Sequence, residues 1–332
     1  MSNLSKNEEL NVPRAASDEA VAAAVETAVV DNAAANKRRR FLARAGMAGV
    51  GMMGATQIAA NAQAFRSPGR FRRPPANTPP ASPNIDIDVL NFALNLEYLE
   101  AEFYLRAAFG RGLSDSDVTG VGTLGGVSGG RQVPFTSSAI QQFAQEIALD
   151  EEAHVRTLRA VLGSSAVARP AINIDTAFTV AARAAGLVGP NDSLDVYSNQ
   201  NLFLLAAFVF EDVGVTGYKG GAPLLTSKAI VEAAAGFLAV EAYHAGLIRA
   251  ELYARGLFTD AQKISDARDS LDGPDDRDQG ITLNGRANIV PTDGNGLAFS
   301  RTTSQVLSIV YLGGPIGVGG GFLPSGANGR FR

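Results

Sequence analysis

Apolar residues recur at helical spacing in four long stretches of this chain. Over residues 86 to about 110, Leu90, Leu94, Leu96, Phe103 and Leu105 follow one another with no intervening Pro or Gly, which predicts a helix of about seven turns. A second helix is predicted over 136–162, opening on Thr136, Ser137 and Ser138 as cap candidates and stopping at Gly163. The third, over 192 to about 218, is apolar on nearly every side through Leu202, Leu205, Phe208, Val209 and Phe210, despite Gly214 and Gly217. The fourth spans 226–255 and ends at Gly256. A Gly-rich loop, 111–135, separates the first two helices. A short amphipathic helix at about 175–187, too short to span a bundle, lies between the second and third. The pattern predicts an all-α four-helix bundle over 86–256 with a long crossover between its second and third helices. Residues 257–332 read as an extension of short helices and loops packed on that bundle, with a docking helix at 306–312 and a loop at 313–321.

The chain begins differently. Residues 1–36 are Ala-rich and polar, and Lys37, Arg38, Arg39 and Arg40 then precede a weakly apolar stretch, 41–60, rich in Gly and Ala. Charged, then apolar, then small is the order of a signal peptide, and Ala60-Asn61-Ala62 and Ala62-Gln63-Ala64 are both small-x-small cleavage candidates. The run Arg38-Arg39-Arg40-Phe41-Leu42 resembles the twin-arginine export motif. Gly46, Gly49, Gly51, Gly54, Gln57 and Asn61 make the stretch a poor membrane anchor. Residues 1–64 are therefore expected to engage the twin-arginine export machinery, leaving a periplasmic or extracellular mature protein with no membrane attachment. Residues 65–85, with Pro68, Pro74, Pro75, Pro79, Pro80 and Pro83, read as an extended linker.

Composition then removes several chemistries. The chain has no Cys, which excludes disulfides, thiolate nucleophiles and Cys-ligated zinc or iron–sulfur centres. Its 29 Lys plus Arg against 33 Asp plus Glu give a net charge of −4, with no general attraction to nucleic acid. The Gly-rich segment near the C-terminus lacks the Lys-Ser/Thr of a phosphate cradle, which argues against nucleotide binding.

Only two His occur, and both follow a Glu by three positions: Glu151-x-x-His154 on the second predicted helix and Glu241-x-x-His244 on the fourth. Residues three apart share a helix face, so each pair can turn a carboxylate and an imidazole toward one point. Glu97 on the first helix and Glu211 on the third add one carboxylate each. Glu211 sits in so apolar a run that an unpaired charge there would cost several kcal/mol. The offset of 90 residues between the two His also aligns Glu151 with Glu241, Arg159 with Arg249 and Leu162 with Leu252, while Glu97–Tyr104 and Glu211–Tyr218 share a second offset. This is an internal repeat of helix pairs. A buried ion-pair network is the bland reading of these six residues, and no matching Lys or Arg on the same faces supports it.

On these motifs, with Leu90-Asn91, Ile289-Val290-Pro291, Arg301, Gln305-Val306-Leu307 and Gly319-Gly320-Gly321-Phe322-Leu323-Pro324, the chain resembles the ferritin-like superfamily, and within it the desiccation-related ferritin-like proteins. The resemblance implies a ferritin-like bundle holding two iron or manganese ions. It also implies Glu151 and Glu241 as bridges, Glu97 and Glu211 as terminal ligands, and one His on each ion. The Gly-rich loop and the glycines after Glu211 argue against a storage-shell subunit.

Around this set, Glu100 lies one turn beyond Glu97 and is an alternative ligand, an outer acceptor or a solvated edge; as the one spare carboxylate it is the candidate for acid–base work. Glu102, Glu146, Asp150 and Glu152 are expected to face water, and Tyr243 to pack. Arg106, Arg159 and Arg249 default to solvated surface. Tyr104 and Tyr218 either donate to ligand carboxylates or pack as core aromatics. Carboxylate and imidazole ligands suit iron and manganese alike. The functional expectation is oxygen or peroxide redox chemistry protective in stress or desiccation, with a metal-stapled structural protein as the alternative.

Overall fold

The computed structural model describes residues 85–332, so the export-signal reading of 1–64 and the Pro-rich stretch after it lie outside the described residues. Among the described residues the chain runs through α1 (Ile85–Phe109), β1 (Val127–Gly129), α2 (Ser138–Leu162), β2 (Ile172–Ile174), α3 (Thr176–Ala184), α4 (Gln200–Gly221), α5 (Lys228–Ala254), α6 (Phe258–Asp272), β3 (Thr282–Leu283), β4 (Arg286–Ala287) and α7 (Thr303–Val310). The architecture is all-α, with two small two-stranded sheets in the connections.

Local chemistry sets the helix ends. Ser137 caps α2 by accepting from the Ile140 N–H, and Gly163, at φ 54°, closes it. Asp86 reaches across from α1 and accepts from the N–H groups of Thr226 and Ser227 at 2.7 and 3.0 Å, satisfying donors at the start of α5. α4 begins later than its apolar pattern suggests. Asn199 caps it by accepting from Asn201 and Leu202, and before it Asp192 and Asp195 bond nearby backbone N–H groups and hold turns instead of helix. α6 was not marked by the apolar periodicity, because its buried face includes Ser265, Arg268 and Asp272 beside Ala261 and Ile264.

α1 packs along α2, α4 packs along α5, and α1 meets α4. Phe103 stacks on Phe203 with centroids 5.6 Å apart and meets Phe178, Tyr197 and Phe210, joining the two helix pairs and the crossover in one aromatic core. The Gly-rich loop is pinned by the parallel pairing of β1 with β2, Val127 opposite Ile172. The C-terminal tail returns to α1, where the Asn328 N–H donates to Asn95 Oδ1 at 2.8 Å.

The extension docks through buried charge. Arg268 donates to Asp212 at 2.8 Å and Asp278 at 2.7 Å, and Arg301 donates to Asp272 at 2.6 Å and Asp278 at 2.8 Å. Arg249, expected at the surface, is fully buried in the same network and donates to Asp212 at 2.7 Å, because the extension covers this part of α5. A Cβ at Gly220 would overlap the Arg301 carbonyl, so glycine lets the extension lie directly on α4. Glu102 and Glu152 are also buried rather than facing water. The loop and the crossover bring Arg169 onto Glu102 and Arg111 onto Glu152, beside helical partners Arg106 and Arg156. Arg159 donates to Tyr98 Oη and the Thr119 carbonyl, which gives it a bridging role in place of a solvated one. Tyr243 is 79% exposed and does not pack in the core, since it lies on the outer face of α5.

Candidate metal centre

The two helix pairs bring Glu97 from α1, Glu151 and His154 from α2, Glu211 from α4, and Glu241 and His244 from α5 into one buried cluster. His154 Nδ1 lies 3.2 Å from Glu97 Oε2, 3.4 Å from Glu151 Oε2 and 3.5 Å from Glu241 Oε1. His244 Nδ1 lies 3.1 Å from Glu151 Oε1 and 3.7 Å from Glu211 Oε2. Glu151 thus turns one oxygen toward each His. One donor atom from each of Glu97, Glu151, His154 and Glu241 lies within 4.8 Å of the others, and atoms of Glu211, Glu241 and His244 form a second such group. Glu241 belongs to both.

Tyrosines cross between the halves: Tyr104 on α1 donates to Glu211 Oε1 on α4, and Tyr218 on α4 donates to Glu97 Oε1 on α1. Of the two roles open to these residues, donation to the carboxylates is the one observed. Each tyrosine also packs, Tyr104 against Phe103 and Phe203, and Tyr218 stacked on Phe237. Phe237 in turn meets the His154 ring edge-on at 4.7 Å. Asp150, placed in water by its position in the sequence, is half-exposed and lies 3.1 Å from His244 Nε2. That contact fixes the His244 ring with Nδ1 facing inward.

Glu100 is buried at the α4 side of the cluster, and a Cβ on Gly214 would overlap Glu241 Oε2 and come within 3.5 Å of Glu100 Oε1. Sequence reasoning passed over Gly214. A glycine opposite a carboxylate, one turn from Glu211 on the same helix, was the available signal.

The electrostatics are those of too many carboxylates in too little solvent. Burial pushes Glu97 up to about 8, with Glu151 and Glu241 adding to the rise against the pull of His154. Burial likewise raises Glu100, Glu211 and Glu241, with neighbouring carboxylates reinforcing it. Glu151 goes the other way: burial would raise it, but His154 and His244 together hold it below the ordinary carboxylate range. Burial opposes charge on His244, yet the contacts with Asp150 and Glu151 lift it to about 11. Among the described residues no Lys or Arg pairs with any of these carboxylates.

Both oxygens of Glu151, both of Glu241, Glu211 Oε2 and His244 Nδ1 are buried without a hydrogen-bond partner. Buried polar atoms are rarely left so, and six in one cluster of carboxylate and imidazole atoms point to a metal site. The residues present therefore fit hard or borderline metal ions.

A bundle of two helix pairs with a carboxylate–imidazole centre between them defines a ferritin-like protein. Residues 85–254 match the family described as Ferritin-like domain, and the chain belongs to that family. It is 33% identical over 249 residues to the desiccation-related protein PCC13-62 of Craterostigma plantagineum, covering 68% of this chain and 77% of that one. It is 30% identical over 267 residues to the ferritin-like catalase Nec2 of Nesocodon mauritianus, covering 74% and 84% respectively. No solved structure matches the chain.

Proposed function

We propose that this chain is an exported dimetal protein that disproportionates hydrogen peroxide. The observation that carries the reading is the set of unpartnered buried donor atoms on Glu151, Glu211, Glu241 and His244. The similarity to a relative named as a catalase supports the choice of peroxide among small oxidants. Glu97, Glu151, His154 and Glu241 would hold one ion, and Glu211, Glu241 and His244, with the second oxygen of Glu151, the other. Glu151 and Glu241 would then be shared between the two ions, and Glu97 and Glu211 would each serve one, as the resemblance implies. When bound, an iron or manganese pair supplies electron transfer between two peroxide molecules, one oxidised to dioxygen and the other reduced to two waters.

The protein's part is orientation and proton handling. Tyr218 and Tyr104 each fix one oxygen of a terminal carboxylate, and Asp150 fixes the ring of His244. Both His turn Nδ1 toward the centre, so the group free to carry a proton is Glu100, the buried carboxyl outside the assigned ligand set, whose protonated form is favoured by burial and by the four surrounding carboxylates. It can give that proton to a departing oxygen and take one from incoming peroxide. The aromatic core beside the site limits bulk water.

Metal analysis of protein taken from its own exported fraction, followed by peroxide turnover on that sample, tests the reading. Wild type should carry two ions of iron or manganese per chain and consume peroxide faster than free-metal controls. Glu100→Gln should slow turnover with metal content unchanged, whereas Glu97→Gln should lose metal. A metal-loaded protein no better than free metal would leave the ions as structural staples. For export, changing Arg38 and Arg39 to Lys should retain the full-length precursor in the cytoplasm; unaltered export would remove the twin-arginine route.

A further inference from the structure

Two cavities lie end to end on the α4 side of the bundle. The outer is an apolar groove of about 120 Å³ between α3, α4 and α6, walled by Phe178, Leu187, Leu205, Leu271 and Leu312. The inner is a chamber of about 20 Å³, enough for one water-sized molecule, walled by Leu99, Phe210, Val213 and Phe322 and ending on Glu100 and Gly214. Val209 and Ile309, from α4 and α7, line both, so the two cavities adjoin at these side chains. Both are buried. At the inner end Gly214 lies against Glu241, where a Cβ would overlap Glu241 Oε2. Arg268 is the charged residue of the groove wall, and Asp212 and Asp278 already neutralise it.

We propose that the groove, the Val209–Ile309 neck and the Glu100 chamber form the passage by which small uncharged molecules, peroxide inward and dioxygen outward, reach and leave the metal centre. This rests on the peroxide reading above and adds the route and its gate. Three features argue for it. Along the groove the one charged wall residue, Arg268, is already neutralised, so a charged solute would lose its hydration without compensation; a neutral diatomic loses little, and peroxide, whose hydroxyls are costly to desolvate, regains a hydrogen-bonding partner at Glu100. The chamber ends on the one carboxyl group of the site that is not a bridging or terminal ligand in the assignment above. The two residues common to both cavities are aliphatic and make no side-chain hydrogen bond, so rotamer motion is enough to widen the way between them.

The test uses metal-loaded protein. Crystals of wild type under xenon pressure should show the gas in both the groove and the chamber. Val209→Trp should keep xenon in the groove and lose it from the chamber. The same substitution should lower kcat/KM for peroxide by about tenfold with both ions retained, the signature of impaired access and not of a lost ligand. Ile309→Trp closes the neck from the opposite wall and serves if the first variant fails to fold. A wild-type chamber that never takes up xenon overturns the passage, and so does a tryptophan variant that excludes xenon yet leaves kcat/KM unchanged. If wild type consumes no peroxide, the functional reading fails by itself, while xenon occupancy of wild type and variant still decides whether the neck is a gate.

Discussion

Tyr218 holds Glu97 and Tyr104 holds Glu211, so each half of the bundle orients a carboxylate belonging to the other. Losing a hydrogen bond of this kind commonly costs about 10–100-fold in metal affinity. Tyr218→Phe should therefore weaken the ion held by Glu97 by about that factor and spare the other, and Tyr104→Phe should do the reverse, as read by competitive chelator titration. The cluster also makes metal-free protein pH-sensitive with a definite sign. Glu97 binds its proton up to about 8 in the folded state but releases it near 4.5 when unfolded, and His244 holds its proton to about 11 against 6.5. Across both windows the folded state binds more protons, so the stability of metal-free protein should fall as pH rises. Thermal unfolding with chelator present, at pH values spanning those windows, checks this. Added metal should flatten or reverse the trend, because its ligands must be deprotonated to bind.

At the scale of elements, the chemistry depends on segments that contribute no candidate ligand. Asp86 of α1 ties the start of α5, and the extension is riveted to α4 and α5 by three arginines and three aspartates. Asp278 is shared by Arg268 and Arg301, so Asp278→Ala leaves two buried guanidinium groups short of a partner. Breaking such a pair costs about 3–5 kcal/mol. Denaturant unfolding should register a loss of that order, while metal stoichiometry under native conditions stays unchanged because no metal-facing carboxylate belongs to the network.

At the scale of the molecule, folding gathers five carboxyl groups and two imidazoles into one interior, and bound cations would convert that repulsion into cohesion. Any ligand that binds only the folded state stabilises it by mass action, about 2.7 kcal/mol at a free concentration 100 times Kd. Stripping the metal should lower the melting temperature accordingly, and restoring iron or manganese should recover it. Calorimetry on one sample before and after chelation checks this.

Periodicity and spacing were enough to mark the four long helices and the crossover helix, and the two Glu-x-x-His pairs with Glu97 and Glu211 were legible because helix geometry maps a spacing of three onto one face. Such local rules carry no information about what comes to cover a face. Arg249, Glu102 and Glu152 read as surface residues because their partners lie far along the chain. Only the folding of the extension, the Gly-rich loop and the crossover onto the bundle buried them. The same holds for Tyr104 and Tyr218, whose two readings differ only in what stands opposite the hydroxyl. The meeting of the two cavities is wholly a product of packing: Val209 and Ile309 are ordinary core residues in the sequence, and they come together because α7 docks beside α4, with Val306 against Gly217. Sequence determined the donor set, since residue type and helical phase are local. Tertiary structure decided which charges are buried and which carboxylate is oriented by which tyrosine, since each depends on contacts between distant segments.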